Sequence, residues 1–121
     1  MCLFCEMKES NYIYEDDYVY AIYDSYAVSK GHTLIIPKEH RKHYFEATNE
    51  EVKSIHKALH ILKARLDESY QPDGYNIGIN NGQSAGQTIF HLHVHLIPRY
   101  EGDVNDPRGG VRGVIPSKQK Y

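Results

Sequence analysis

Tryptophan is absent, cysteine occurs only twice, and no uninterrupted apolar stretch approaches the roughly 20 residues of a membrane span. The opening residues also lack the charged and apolar regions of a signal peptide, so a soluble, cytoplasmic protein with no membrane partner is expected. Neither sign of charge dominates: 14 Lys+Arg stand against 16 Asp+Glu, for a net charge of −2. That leaves no basic field to hold a nucleic-acid backbone, and nucleic acid is excluded as the expected partner. Two cysteines are too few for a secreted disulfide scaffold; the close pair Cys2-Leu3-Phe4-Cys5 reads as a metal half-site or a redox pair in a reducing compartment. No βαβ pattern surrounds it, which disfavours a thioredoxin-like role. Tyrosine, by contrast, is abundant at 11 residues.

A chain of 121 residues supports one domain, residues 1–121, with a single core. Tyr12–Glu15 and Tyr18–Tyr23 are β-branched and aromatic runs separated by Asp16-Asp17, and predict a hairpin. The tyrosines Tyr12, Tyr14, Tyr18 and Tyr20 fit sheet packing or a subunit interface better than a base-stacking platform. His32–Pro37 predicts a third strand closed by proline. Thr48-Asn49-Glu50-Glu51 has the capping-box pattern of a helix start, followed by the apolar stripe Val52, Ile55, Leu59, Leu62 and Leu66. Pro72-Asp73-Gly74 ends that helix. His56 and His60 are four apart on its flank, a chelating spacing that reads more simply as solvent exposure. Tyr75–Ile79 and Thr88–Pro98 predict two more strands, joined by a hairpin-type loop over residues 80–86. Residues 99–121 are polar and glycine-rich, an expected extended tail over the body or a second subunit. The order of elements argues for an α+β domain on an antiparallel sheet.

The chemistry concentrates in His91-Leu92-His93-Val94-His95. On a strand, alternate residues share a face, so the three histidines form a row about 6.6 Å apart while Leu92, Val94 and Leu96 enter the core. Such a row can be an ordinary polar face, a pair of ligands for zinc, copper or iron, or an imidazole nucleophile with its supports. Gly86-Gln87-Thr88 at the entry, a glycine and two neutral donors, suits a phosphate better than a metal. An imidazole that is largely neutral at pH 7 can attack phosphorus, and its phosphoramidate product is labile to water.

The run His91–Ile97 resembles the signature of the histidine triad family. Gly31–Lys38 is similar to that family's other landmark, a strand opening on a fourth histidine, and Asp24 and Asn80 stand at the family's distances from these motifs. The resemblance implies an antiparallel sheet of about five strands with one long helix, paired as a two-fold homodimer. It implies an enzyme cleaving at the α-phosphate of a purine nucleotide derivative, either a dinucleoside polyphosphate or a nucleoside phosphoramidate. His93 would be the nucleophile forming a nucleotidyl-histidine, His95 would bond phosphate near the leaving group, and His91 and His32 would sit behind the nucleophile. Gln87 and Thr88 would donate to phosphate, Asn80 would help hold it, Asp24 would accept from the ribose hydroxyls, and Ile22 would line the base pocket. Some bacterial members pair such cysteines with a later histidine and the first triad histidine, which makes Cys2, Cys5, His40 and His91 the candidate zinc set, with His43 as a rival to His40. Thr88 before the triad resembles the dinucleoside-polyphosphate branch more than the phosphoramidase branch. The tail over residues 106–116 is similar to a C-terminal segment of some bacterial members, with Gly113 where that segment carries an aromatic residue. Two rival functions remain: a metal-dependent enzyme using the histidine row as ligands, and a nucleotide-binding module with little catalysis.

Overall fold

The structure, a computed structural model, is described for residues 2–121. The helix, α1 (Asn49–Tyr70), begins at the capping box that the sequence predicts. The Glu51 amide donates to Thr48 Oγ1 at 3.2 Å and the Thr48 amide donates to Glu51 Oε1 at 2.8 Å, satisfying two otherwise orphan donors. Its end is Gln71, in the left-handed region at φ 48°, because the following proline bars Gln71 from continuing the helix. Ile55, Ala58, Leu62 and Leu66 are its buried apolar residues, while Val52 and Leu59 are only half-buried. Full burial of each larger aliphatic side chain is worth about 1.5–3 kcal/mol.

Five strands form one antiparallel sheet in the order β1 (Tyr14–Glu15), β2 (Val19–Tyr23), β3 (Thr33–Pro37), β5 (Val94–Arg99), β4 (Gly74–Gly78). The Asp16 carboxylate makes the first turn, accepting from the amides of Tyr18 at 2.8 Å and Val19 at 2.9 Å. β1 is shorter than Tyr12–Glu15, since Tyr12 instead closes a 3-10 turn and stacks on Tyr20 with ring centroids 4.3 Å apart.

The sheet's two faces have different covers. Val19, Ala21, Ile35, Val94 and Leu96 pack beneath α1. Tyr20, Ile22, Leu34 and Ile36 face the other way, onto Phe4 of the N-terminal turn, whose carbonyl accepts from the Tyr20 hydroxyl. On this second face the register aligns Ile22 with Leu34 and Leu34 with His95, a cross-strand row that becomes the floor of the site.

Glu51 is 2% exposed yet charged. Its carboxylate receives Arg41 Nε at 3.0 Å, so the helix start grips the segment after β3. Removing Glu51 deletes this charge-assisted bond and leaves the Thr48 amide without its cap. Glu51→Ala is therefore expected to destabilise the fold by about 3 kcal/mol in urea unfolding; a loss below about 1 kcal/mol would contradict this reading.

The expected short hairpin between the last two strands is instead a long connection, residues 79–93, holding a 3-10 turn at Gln83–Ala85. The tail is not simply extended: it carries 3-10 turns at Gly110–Val114 and Pro116–Lys118. No helix among the described residues is long and apolar enough to cross a membrane.

Candidate active site and metal centre

Strand pairing starts at Val94, not at Thr88 as expected, so of the three triad histidines only His95 lies in the ladder. The reason is a sideways bond: the Leu92 amide donates to the Arg41 carbonyl at 2.6 Å, outside the sheet. Inside–outside alternation survives, with Leu92, Val94 and Leu96 each 1% exposed. The histidines do not form one even row. His93 and His95 have ring centroids 5.2 Å apart, whereas the fully buried His91 turns its ring toward Phe4 and His40.

Hydrogen bonds assign the ring protons. His93 Nδ1 lies 2.8 Å from the His91 carbonyl, which can only accept, so Nδ1 carries the proton and Nε2 keeps its lone pair. The Val28 amide donates to His32 Nδ1 at 3.1 Å, so His32 carries its proton on Nε2, 2.9 Å from His95 Nδ1. His95 Nδ1 must then accept, which leaves a neutral ring with an Nε2–H donor. His32 thus supports His95 rather than standing behind His93, and His91 supports His93 through its backbone carbonyl rather than its ring. Asp24 Oδ2 lies 3.4 Å from His32 Nε2, and Asp24 Oδ1 accepts from the Tyr26 amide at 2.9 Å.

Burial, reinforced by the neighbouring His93 and His32, pushes His95 down to about 4; burial also lowers His32, with Asp24 partly opposing. The unfolded chain takes up these protons near pH 6.5 and the folded one resists until lower pH. Their contribution to stability is therefore complete above pH 6.5 and is lost as pH falls toward 4, by about 2–4 kcal/mol for His95. Urea midpoints measured from pH 7 to 4 should show that decline, and His95→Asn should flatten it; equal slopes in the two proteins would contradict the assignment.

A cavity of about 230 Å³ brings together Ile22, Asp24, Asn80, Thr88, His93 and His95. Its apolar end is made by Leu3, Phe4, Met7, Leu34 and Ile89, and the exposed Tyr26 stands at its edge. These residues escaped sequence reasoning; the apolar pair inside the cysteine motif was the available signal. Gly86, at φ 96° with open space where a side chain would project, turns the loop and leaves the cavity clear.

Gln87 is turned into the loop rather than into the cavity. It is 3% exposed, its Oε1 accepts from the Gly82 amide at 2.8 Å, and its Nε2 donates to the carbonyls of Lys42 at 2.6 Å and Ile89 at 3.1 Å. Its amide is committed to shaping the loop, not free for phosphate.

Behind the cavity, Cys2, Cys5, His40 and His91 present donor atoms that all lie within 4.8 Å of one another. Cys2 Sγ is 3.3 Å and Cys5 Sγ 3.5 Å from His91 Nδ1, and Cys5 Sγ is 3.3 Å from His40 Nδ1. Tetrahedral zinc with such ligands separates its donors by about 3.5 Å, so the cluster fits. His91 Nε2 donates to the Pro37 carbonyl at 2.8 Å, leaving Nδ1 for metal with its tautomer already set. His40, not its rival His43, completes the set. His43 stacks edge-on with Phe45 and its buried Nδ1 has no partner among the described residues. Asp24, His32 and His95 also converge, but the hydrogen bonds above account for them, and His93 belongs to neither group. His56 and His60 are both exposed, with rings 4.6 Å apart.

Residues 6–102 match the HIT domain family model. The chain is 40% identical over 107 residues to the protein named hit of Bacillus subtilis, covering 84% of this chain and 74% of that one. It is 36% identical to an adenylylsulfatase of Arabidopsis thaliana, covering 84% of this chain but 54% of that longer protein. Among solved structures, a zinc-bound histidine triad family protein from Mycobacterium smegmatis superposes with a TM-score of 0.78 at 34% identity, covering 87% of this chain and 79% of that one. The fold, the arrangement of the histidines and the matched length together establish that this chain belongs to the HIT domain, or histidine triad, family.

Proposed function

We propose that the protein cleaves nucleoside derivatives at the α-phosphate through a covalent nucleotidyl intermediate on His93. The observation that carries this reading is the pair of ring assignments: a free Nε2 lone pair on His93 and an Nε2–H donor on His95, both on rings lining one cavity. The base, a purine, enters the apolar end against Phe4, Ile22 and Leu34, and Asp24 accepts from the ribose hydroxyls. Asn80 and Thr88 flank the phosphate.

The His93 lone pair forms the N–P bond as the bond from phosphorus to the leaving group breaks, its electron pair departing with that group. His95 Nε2–H bonds an oxygen at the reacting phosphate as charge develops. The adduct carries an imidazolium charge, shared with the His91 carbonyl through Nδ1–H. Water then forms the new P–O bond, the N–P electrons return to Nε2, and one water proton leaves to solvent while the other stays on the nucleotide.

Zinc on Cys2, Cys5, His40 and His91 would serve structure, supplying fixed thiolate and imidazole geometry that pins the N-terminal turn against the triad. A reducing compartment such as the cytoplasm keeps both cysteines available. We further infer a homodimer, for which the outer edge of β4 offers unpaired backbone groups and the exposed Ile77.

The test is a substrate panel of adenosine and guanosine phosphoramidates, dinucleoside polyphosphates, nucleotide sugars and adenylyl sulfate, the last suggested by the Arabidopsis relative's name. Turnover of at least one by the wild type and none by His93→Ala is expected; a fully active alanine variant would overturn the reading.

A further inference from the structure

The catalytic cavity has a histidine pair but no lysine or arginine among the described residues that line it. The hydrogen-bond pattern leaves His95 neutral, so it offers a donor but no surplus proton to a departing group. A leaving group there must either find its own proton or depart as a stable anion. Compensating charge for the second course has to come from outside the cavity.

A second depression, of about 390 Å³, adjoins the first: Leu3, Thr88 and Ile89 line both. Beyond Thr88 it is lined by Lys42 and the half-exposed ring of Phe90, and by Cys2 and His40 of the candidate metal site. The Lys42 backbone is held firmly, while its ammonium has no ion-pair partner among the described residues. The Lys42 carbonyl accepts from Gln87 Nε2 at 2.6 Å, and its amide donates to Glu46 Oε1 at 2.6 Å. Since Gln87 immediately precedes Thr88, the bond that fixes the loop also fixes Lys42 beside Thr88.

Resting on the α-phosphate reading above, we propose that this depression is the leaving-group subsite, and that Lys42 selects leaving groups that depart as oxyanions. When the bond to phosphorus breaks, the electron pair remains on the leaving oxygen as sulfate, phosphate or carboxylate, and the Lys42 ammonium compensates that charge with no proton transfer. Phe90 offers an apolar surface to whatever the oxyanion carries. An amine that departs protonated carries no oxyanion charge for Lys42 to compensate.

Two measurements test this separately from the cleavage reading. In the first, kcat/KM is compared for adenylyl sulfate and adenosine 5′-phosphoramidate in wild type, Lys42→Met and Lys42→Arg. The sulfate-to-amide ratio should fall about tenfold in Lys42→Met, be restored to within about twofold in Lys42→Arg, and decline with added salt in wild type. An unchanged ratio in Lys42→Met overturns the proposal even if both substrates are cleaved. In the second, inorganic sulfate or pyrophosphate is titrated in the presence of AMP, following the amide signals of Thr88 and Phe90. Saturable shifts in wild type that vanish in Lys42→Met support the subsite whatever the turnover; shifts that persist in Lys42→Met, or never saturate in wild type, overturn it. Loss of the cleavage reading would show differently, as a His93→Ala protein with full activity.

Discussion

His93→Ala should lower kcat by at least about 10⁴-fold while changing nucleotide affinity by less than about threefold. The ring contributes one free nitrogen to a cavity whose other walls include Phe4, Ile22, Leu34 and Asp24, the residues proposed to hold base and ribose. Alanine removes the bond-making atom and leaves those contacts in place. Because the His93 ring is propped on the His91 carbonyl and edged by Phe4 at a centroid distance of 5.1 Å, its loss disturbs neither the ladder nor the metal cluster. Steady-state kinetics paired with calorimetric titration of AMP separates the two effects. Affinity lost in parallel with kcat would mean that His93 acts mainly in ground-state binding.

If zinc occupies the cluster of Cys2, Cys5, His40 and His91, removing it by chelation or by Cys5→Ser should lower the melting temperature by about 10 °C and raise KM about tenfold, with a smaller fall in kcat. The argument follows the connections. Cys2 and Cys5 bracket Leu3 and Phe4, which wall the apolar end of the cavity, and they meet His91, whose carbonyl orients the His93 ring. Freed of the metal, the N-terminal turn keeps the Tyr20 hydroxyl on the Phe4 carbonyl, the packing of Phe4, Cys2 and Met7 on the second face, and weak thiol–imidazole contacts in place of metal bonds. Base binding suffers first, while His91 remains tied to Pro37 and so continues to present its carbonyl. Scanning calorimetry with and without one equivalent of zinc checks this; identical melting temperatures would contradict a structural role.

Legibility in the sequence followed the range of the interaction. The capping box at Thr48 and Glu51, the turn at Asp16 and the alternation of Leu92, Val94 and Leu96 are local patterns, and each stands in the structure as read. The triad's division of labour was not local. His91 leaves the row because of Pro37 and the two cysteines, which lie on other segments. His32 serves His95 because the β3–β5 register places Leu34 opposite His95. A neutral amide after glycine suits phosphate donation, yet the Gln87 amide is bonded to the carbonyls of Lys42 and Ile89, contacts the local pattern does not reveal. Glu51 concealed a second role in the same way, capping the helix with one contact and holding Arg41 with another.

The central claim is a covalent bond between His93 Nε2 and the α-phosphorus. Mixing the protein with a cleavable adenylyl substrate, quenching within milliseconds to seconds at alkaline pH, and mapping peptides by mass spectrometry tests it most directly. One adenylyl group on the peptide holding residues 91–95, localised to His93 and absent from His93→Ala, is the predicted result. An adduct on another residue, or turnover by a protein that never carries one, would contradict it.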